Sequence, residues 1–201
     1  LRTLAFTTVT GSNGVTSLVG ATGVDVATIV TLRSNVFVGA NTADDTVTIA
    51  LSGNGSASAY DVRMGGGGDR FNSTSVLLNS FVSLDGTTLA NDGNDTFNST
   101  QLIINSEIVG RGGNDVLGLA GAELQLSNST VNGNTGVDRI RLGASSGSYV
   151  YGGADTDTIT TTAGAANSSS SVMINGNRGS DFITLAASGF ATGTVYGGNG
   201  N

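Results

Sequence analysis

Aspartate returns eight times along the chain in the same local setting, at the end of a short stretch rich in glycine and asparagine. The intervals between successive copies lie between 19 and 26 residues, within the range of stacked-repeat proteins. A carboxylate that recurs in this way can bind a cation, or it can hydrogen-bond from one repeat to the next, provided that the fold brings the copies together. The eight residues are Asp25, Asp45, Asp69, Asp95, Asp115, Asp138, Asp157 and Asp181.

A column of stacked carboxylates repels itself. At the spacing of neighbouring strands, about 4.8 Å, two carboxylates repel by about 1 kcal/mol in water and by about 3.5 kcal/mol at an effective dielectric constant near 20. Calcium relieves such repulsion because it accepts six to eight oxygen ligands in a flexible geometry, whereas zinc prefers the histidine and cysteine that this chain lacks. We therefore expect calcium ions at some of the turns, held by Asp69, Asp95, Asp115, Asp138, Asp157 and Asp181.

A second interpretation of the same residues stays open. Aspartate, asparagine and glycine are also common turn residues, and a column of them can hydrogen-bond along a solvated edge without any metal. Asp92 and Asp155 lie within the same turns and would add ligands if calcium binds. The sequence is compatible with both a calcium site and a metal-free ladder.

Two apolar columns accompany the aspartates. The residues two places after the aspartates are Ala27, Val47, Phe71, Phe97, Leu117, Ile140, Ile159 and Ile183. The residues seven places before them are Leu18, Val38, Val62, Thr88, Ile108, Val131, Val150 and Ile174, with Val195 in an unfinished ninth copy. Because side chains alternate between the faces of a strand, the residues two and four places after an aspartate share a face. Ile29, Ile49, Leu119, Leu142 and Leu185 occupy the second of these places.

No isolated repeat can bury these columns, but coils stacked about 4.8 Å apart bury each residue against its equivalents above and below. The sequence thus predicts an all-β fold without helices, a parallel β-solenoid of about eight to nine coils of about 22 residues. We expect residues 1–201 to be one solenoid segment of a longer array, with a partial or capping coil in 1–17 and repeats in 18–201. The variable stretches 142–148 and 161–171 are expected to be surface loops.

The composition narrows the range of partners. The 201 residues include 32 glycines but no proline, cysteine or histidine, and the formal net charge is −7. All eight basic residues are arginines and none of them forms a basic face, so nucleic acid and anionic membranes are not expected as partners. Membrane insertion is not expected either, since it needs about 20 consecutive apolar residues. Nearly all acids lie in the turns, so no catalytic cluster is expected.

Three stretches of the chain resemble the glycine-rich calcium-binding repeats of the RTX, or hemolysin-type, family. They are GRGGNDVLG at 110–118, GGADTDTIT at 152–160 and GNRGSDFIT at 176–184. The resemblance implies a secreted protein in which stacked loops share calcium ions through aspartate carboxylates and turn carbonyls. The chain departs from the family pattern because it has one motif per coil of about 22 residues instead of nonapeptides in tandem. Only one edge of the solenoid would then bind calcium.

A repeat of this kind builds length and not a pocket, which indicates a non-enzymatic structural or adhesive module. We expect a calcium-stabilised extracellular rod, at the cell surface or in a virion, in a bacterial surface-layer protein, an adhesin, or a phage fibre or decoration protein. Its expected partners are calcium ions, neighbouring coils or subunits of the same protein, and cell-surface glycans. A parallel β-helix polysaccharide lyase or hydrolase and a calcium-triggered secretion module of a larger effector are the alternatives.

Overall fold

The computed structural model describes residues 7–10, 16–20, 23–30, 34–52, 55–85, 93–162, 169–186 and 190–200. Every regular element in these ranges is a β-strand. The described residues therefore include no helix that could cross a membrane. The strands are β1 (Thr7–Thr10), β2 (Thr16–Val19), β3 (Val26–Ile29), β4 (Ser34–Gly39), β5 (Thr46–Ile49), β6 (Ser56–Arg63), β7 (Arg70–Ser73), β8 (Val76–Leu78), β9 (Phe81–Ser83), β10 (Thr96–Ser99), β11 (Ile103–Ile104), β12 (Glu107–Arg111), β13 (Val116–Leu117), β14 (Leu124–Ser127), β15 (Thr130–Thr135), β16 (Arg139–Ser146), β17 (Tyr149–Ala154), β18 (Thr158–Thr161), β19 (Ser169–Asn177), β20 (Phe182–Thr184) and β21 (Phe190–Tyr196).

The strands stack in three parallel ladders, which form the faces of the solenoid. Face A holds the strands that follow the aspartates: β3, β5, β7, β10, β13, the start of β16, β18 and β20. Face B holds β8, β11 and β14 with the start of β6, the end of β16 and the start of β19. Face C holds β2, β4, the end of β6, β9, β12, β15, β17, the end of β19 and β21.

The predicted all-β parallel solenoid is confirmed. Successive coils lie in register through about seven turns of about 23 residues, close to the predicted repeat length. One pairing differs, because β1 runs antiparallel to β2 at the first described coil. Each face is therefore a continuous sheet along the solenoid axis, and equivalent residues of successive coils lie directly above one another.

The interior holds the predicted apolar columns. On face A the column two residues after the aspartates is buried from Ala27 to Ile159, and Phe71 and Phe97 stack with ring centroids 5.1 Å apart. On face C the buried column includes Val62, Val82 and Ile108. Each of these residues lies against its equivalents on the coils above and below, as the stacking argument requires.

The fourth coil corrects the sequence alignment. Val82, and not Thr88, pairs with Val62 on one side and with Ile108 on the other. Thr88 lies outside the described residues. The chain between Val82 and Asp95 is six residues longer than in a regular copy. The residue seven places before the aspartate, which belongs to the apolar column in regular copies, therefore does not belong to it in this coil.

Two further expectations about the coil were wrong. The stretch 142–148 is not a loop, because its first five residues continue β16 and pair with β14 on face B. Leu185 is 41 % exposed, whereas Leu142 in the same column is buried. Of the stretch 161–171, residues 163–168 lie outside the described part, and residues 169–171 open β19.

The turn from face C to face A needs left-handed backbone at two places. In the coil of Asp138 these are Asn134, with φ of 76°, and Gly136, with φ of 116°. Glycine and asparagine adopt this region with the least strain, which explains why both recur just before each aspartate. The turn directs every aspartate to the same corner of the coil.

Candidate functional site

The turns bring the aspartates together in one column, which we call the aspartate ladder. It consists of the six predicted site residues together with Asp25 and Asp45. The side chains point into the solenoid and not toward solvent. From Asp25 to Asp157 none is more than 2 % exposed, and Asp181 is half-buried. The sequence predicted the stacking correctly, but its picture of a solvated edge was wrong.

The ladder is held by a repeated hydrogen bond between the coils. From Asp45 to Asp181, the Oδ1 atom of each aspartate accepts a hydrogen bond from the backbone N–H of the aspartate on the preceding coil, at 2.7 to 2.9 Å. The donor and acceptor residues are Asp25 and Asp45, Asp45 and Asp69, Asp69 and Asp95, Asp95 and Asp115, Asp115 and Asp138, Asp138 and Asp157, and Asp157 and Asp181. Since a buried N–H is costly to leave unpaired, each carboxyl group stabilises the turn of the coil before it.

The second carboxyl oxygen has a different environment. The Oδ2 atoms of Asp69, Asp115, Asp138, Asp157 and Asp181 are buried and accept no hydrogen bond. In the coils of Asp115 and Asp138 this oxygen packs where a glycine five residues earlier would carry its Cβ. A methyl group on Gly110 or Gly133 would collide with the carboxyl group of its own coil and with a glycine carbonyl of the next. These glycines are required for close approach, a role distinct from the left-handed turn positions.

Asp45 is the exception in the ladder. Its Oδ1 accepts the N–H of Asp25 at 2.7 Å, and its Oδ2 accepts the backbone N–H of Asn41 at 3.2 Å. In this coil β4 ends at Gly39, so the Asn41 N–H lies beyond the strand. The equivalent residue of the Asp115 coil is Arg111, which is still within β12 and pairs with Asn134. The Asp45 carboxyl group therefore has an N–H for each oxygen.

Burial raises the pKa of five ladder carboxyl groups above the usual value. The pKa of Asp69 rises to about 9 and that of Asp115 to about 8. The pKa of Asp138 rises to about 7 and that of Asp157 to about 6. Desolvation is the largest cause in each case, the backbone hydrogen bond opposes it, and neighbouring carboxylates add to the increase. The pKa of Asp45 is also raised, chiefly by burial.

The ladder does not fit the calcium site that the RTX resemblance implies. Calcium needs six to eight oxygens, whereas from Asp45 to Asp181 each ladder carboxyl group uses Oδ1 for a backbone N–H. In the coils of Asp115, Asp138, Asp157 and Asp181 the Oδ2 atom lies against a glycine. Within the described ranges, no group of three or more acidic, histidine or cysteine side chains is placed to hold a metal. Calcium binding by this protein stays a prediction that the ladder geometry does not support.

The outer side chains of the turns also hydrogen-bond between coils. Asp44 accepts the N–H of Gly68, and Asn114 accepts the N–H of Val137. Asp155, predicted as an additional ligand, accepts the N–H of Gly136 at 3.2 Å. Asp92, the other predicted addition, lies outside the described residues. The described turns thus hydrogen-bond from coil to coil, and the ladder carboxyl groups lie inside the protein.

A second ladder, which the sequence reasoning missed, lies at the corner between faces B and C. We call it the serine ladder, and its members are Ser80, Ser106, Ser129 and Ser148. Each Oγ accepts the backbone N–H of the preceding coil at 3.0 to 3.2 Å and donates to the carbonyl two residues earlier at 2.7 to 2.9 Å. The signal for it was a recurring asparagine or glycine before serine, at the left-handed positions Asn79, Asn105, Asn128 and Gly147.

Face C carries a groove on its outer side, with a volume of about 770 Å³. Asp61, Arg63 and Glu107 line it together with Phe81 and Asn105. The Arg63 Nε lies 3.0 Å from the Asp61 Oδ1, and its guanidinium group lies over the Phe81 ring at 5.8 Å. We call this surface the face C groove.

Face C is also indented further along the solenoid axis. A second depression of about 530 Å³ on the same face includes Tyr149, which is 49 % exposed. Thr130, which lines the first depression, pairs with Tyr149 of the next coil. Face C therefore presents polar side chains and an exposed aromatic ring along the solenoid axis.

Comparison of the chain with protein-family models, with curated proteins and with solved structures gave no match.

Proposed function

We propose that this protein is a non-enzymatic structural or adhesive rod, exposed at a bacterial cell surface or in a virion. The observation that carries the proposal is the continuous register of the coils, in which apolar columns and two hydrogen-bonded ladders occupy the interior. Such a stack extends by repetition, since each coil contacts only its neighbours. The RTX resemblance and the spacing of the repeats favour the same class of protein.

The adhesive contact that we propose is made with a neutral polysaccharide by the outer surface of face C, from the face C groove to Tyr149. Sugar rings present apolar C–H faces that pack on an exposed aromatic ring such as Tyr149, while their hydroxyl groups hydrogen-bond to Asn105, Asp61 and Glu107. Two carboxylates against one guanidinium group leave the groove net negative, which disfavours acidic glycans and nucleic acid.

Affinity electrophoresis in gels that contain neutral polysaccharides tests this contact. We expect retardation of the wild-type chain, weaker retardation of Tyr149→Ala, and no change for Phe182→Ala. Phe182 is the matched control because it is 66 % exposed but belongs to face A. Absence of retardation for the wild type, or equal loss for the two variants, would exclude adhesion through face C.

A hydrolase or lyase of the parallel β-helix kind is the second candidate, and one observation favours it. Asp61 and Glu107 lie in one outward column two coils apart, or about 9.6 Å at the strand spacing, near the upper limit for an inverting pair of carboxyl groups. Against it, the Asp61 carboxylate is already paired with Arg63. Reducing ends released from a neutral polysaccharide by the wild type but not by Glu107→Gln would replace the adhesive proposal with this one.

A further inference from the structure

The inner oxygens of the aspartate ladder are placed beside acceptors and not beside donors. Around the position that a Cβ on Gly133 would occupy, the nearest atoms are the Oδ2 and Cγ atoms of Asp138 and the carbonyl oxygen of Gly152 on the next coil. The same arrangement recurs at Gly110, Gly152 and Gly176. Two buried acceptor oxygens repel each other unless one carries a proton, in which case they form a hydrogen bond.

Among the described residues, no basic group acts on these carboxyl groups to stabilise a negative charge. The titratable groups that act on Asp115 are Asp95, Asp138 and Asp85, and all of them are acids. The same holds for Asp69, which faces Asp45, Asp95 and Asp85. Histidine and lysine are absent from the chain.

The aspartates toward the C-terminal end of the ladder are also surrounded by acids. Asp138 faces Asp115, Asp157 and Asp155. Asp157 faces Asp138, Asp155 and Asp181. A fully ionised column would place buried like charges on successive coils, which no group in the described residues compensates.

The serine ladder shows how a neutral group solves the same problem in this protein. Each hydroxyl accepts an N–H from the preceding coil and donates its own hydrogen to a backbone carbonyl. A protonated carboxyl group has the same capacity, because one oxygen accepts while the other donates.

We propose that the inner oxygens of Asp115, Asp138 and Asp157 carry a proton and donate it to the glycine carbonyl of the next coil, so that neutral carboxyl groups hold the ladder in place of calcium. The acceptors are the carbonyl oxygens of Gly133, Gly152 and Gly176. The chain takes the protons up from water as it folds. This inference is independent of the proposed adhesive function, since it concerns groups inside the solenoid.

The test compares Asp115→Asn with Asp45→Asn by thermal unfolding at pH 7, in a chelator and in millimolar calcium. An amide keeps the acceptor oxygen and replaces the donating O–H by N–H, so we expect the melting temperature of Asp115→Asn to stay within about 2 °C of the wild type. In Asp45→Asn the new N–H₂ group meets the Asn41 N–H, and we expect a decrease of about 5 °C or more. Calcium and chelator should give the same values.

Three results would overturn the proposal. One is a loss in Asp115→Asn as large as in Asp45→Asn, which would indicate an ionised ladder. Another is a calcium-dependent increase in the wild-type melting temperature that disappears in Asp115→Asn, which would indicate a metal ladder. The third is failure of Asp115→Asn to fold while the wild type keeps the same melting temperature from pH 5 to pH 9.

Discussion

The aspartate ladder and the serine ladder both connect successive coils by hydrogen bonds, but they do so with different functional groups. In both, a side-chain oxygen at a corner accepts the backbone N–H of the preceding coil. The serine hydroxyl group also donates its own hydrogen to a backbone carbonyl of the same corner. The carboxyl group can do so only if it holds a proton from solvent. One corner of the solenoid is therefore indifferent to pH and the other is sensitive to it.

The residues next to the two ladders also differ. The serine corner has an asparagine or glycine in the left-handed region directly before the serine, such as Asn105. At the aspartate corner a glycine such as Gly110 lies under the carboxyl group in the coils of Asp25, Asp115, Asp138, Asp157 and Asp181. Ala40 and Met64 occupy the same position in the coils of Asp45 and Asp69, so the close glycine belongs to some coils only.

The largest expected effect separates the two ladders by pH. The raised pKa values mean that stabilisation by the aspartate ladder is fully present below about pH 4, the unfolded value, and is lost as the pH rises through about 6 to 9. We expect the melting temperature to fall by about 10 °C or more between pH 5 and pH 9. The chain lacks histidine and cysteine, the side chains whose ordinary pKa values lie in this range. A flat profile, measured by circular dichroism, would contradict a neutral ladder.

Gly133→Ala should have the next largest effect. A Cβ at this position collides with the Asp138 carboxyl group and with the Gly152 carbonyl, so we expect a loss of about 2 to 3 kcal/mol in the free energy of unfolding. Gly143→Ala is the control, because its nearest contacts begin at 3.4 Å. Urea unfolding compares the two variants. Equal stabilities would show that the carboxyl group does not lie against the glycine.

Ser106→Ala tests the other ladder. The change leaves the Ser80 N–H and the Ile104 carbonyl without their side-chain partner, and we expect a loss of about 2 kcal/mol. Because a hydroxyl group does not titrate in this range, the loss should be the same at pH 5 and at pH 9. Ser56→Ala, at an exposed position of β6, serves as the control. A loss that varies with pH would mean that the ladders are coupled.

Ala59→Gly should have the smallest effect and the opposite sign. Ala59 occupies the left-handed position of the serine corner with φ of 53°, where its Cβ is strained and glycine is not. Part of the gain is offset by the greater freedom of glycine in the unfolded chain, so we expect stabilisation of about 0.5 kcal/mol. Urea unfolding measures it. A destabilised variant would show that this corner does not need the left-handed geometry.

The sequence predicted the architecture well because columns such as Val47, Phe71 and Phe97 repeat at strand alternation, and alternation dictates which side chains share a face. The same rule places Asp45 on the inner face with Val47 and Ile49, two and four residues later. The expectation of a solvated edge gave more weight to the preference of carboxylates for solvent than to this alternation of side chains.

Other features could not be read from local spacing. The chain is longer between Val82 and Asp95 than in the other coils, so the place of Val82 in the apolar column could be found only from its strand pairing. The serine ladder rests on single small residues, which carry no hydrophobic signal. The face C groove joins Asp61 and Glu107 from separate coils, and their proximity follows from the stack and not from either repeat.

The central claim is that the carboxyl groups of the ladder lie inside the solenoid and that those of Asp69 and Asp115 are neutral near pH 7. Carbon-13 NMR of the aspartate carboxyl carbons, followed from pH 3 to pH 10 in a chelator, tests it directly. We predict that several of these carbons titrate between about pH 6 and pH 9, well above the usual range of an aspartate. Titration of every aspartate near pH 4 would contradict the account.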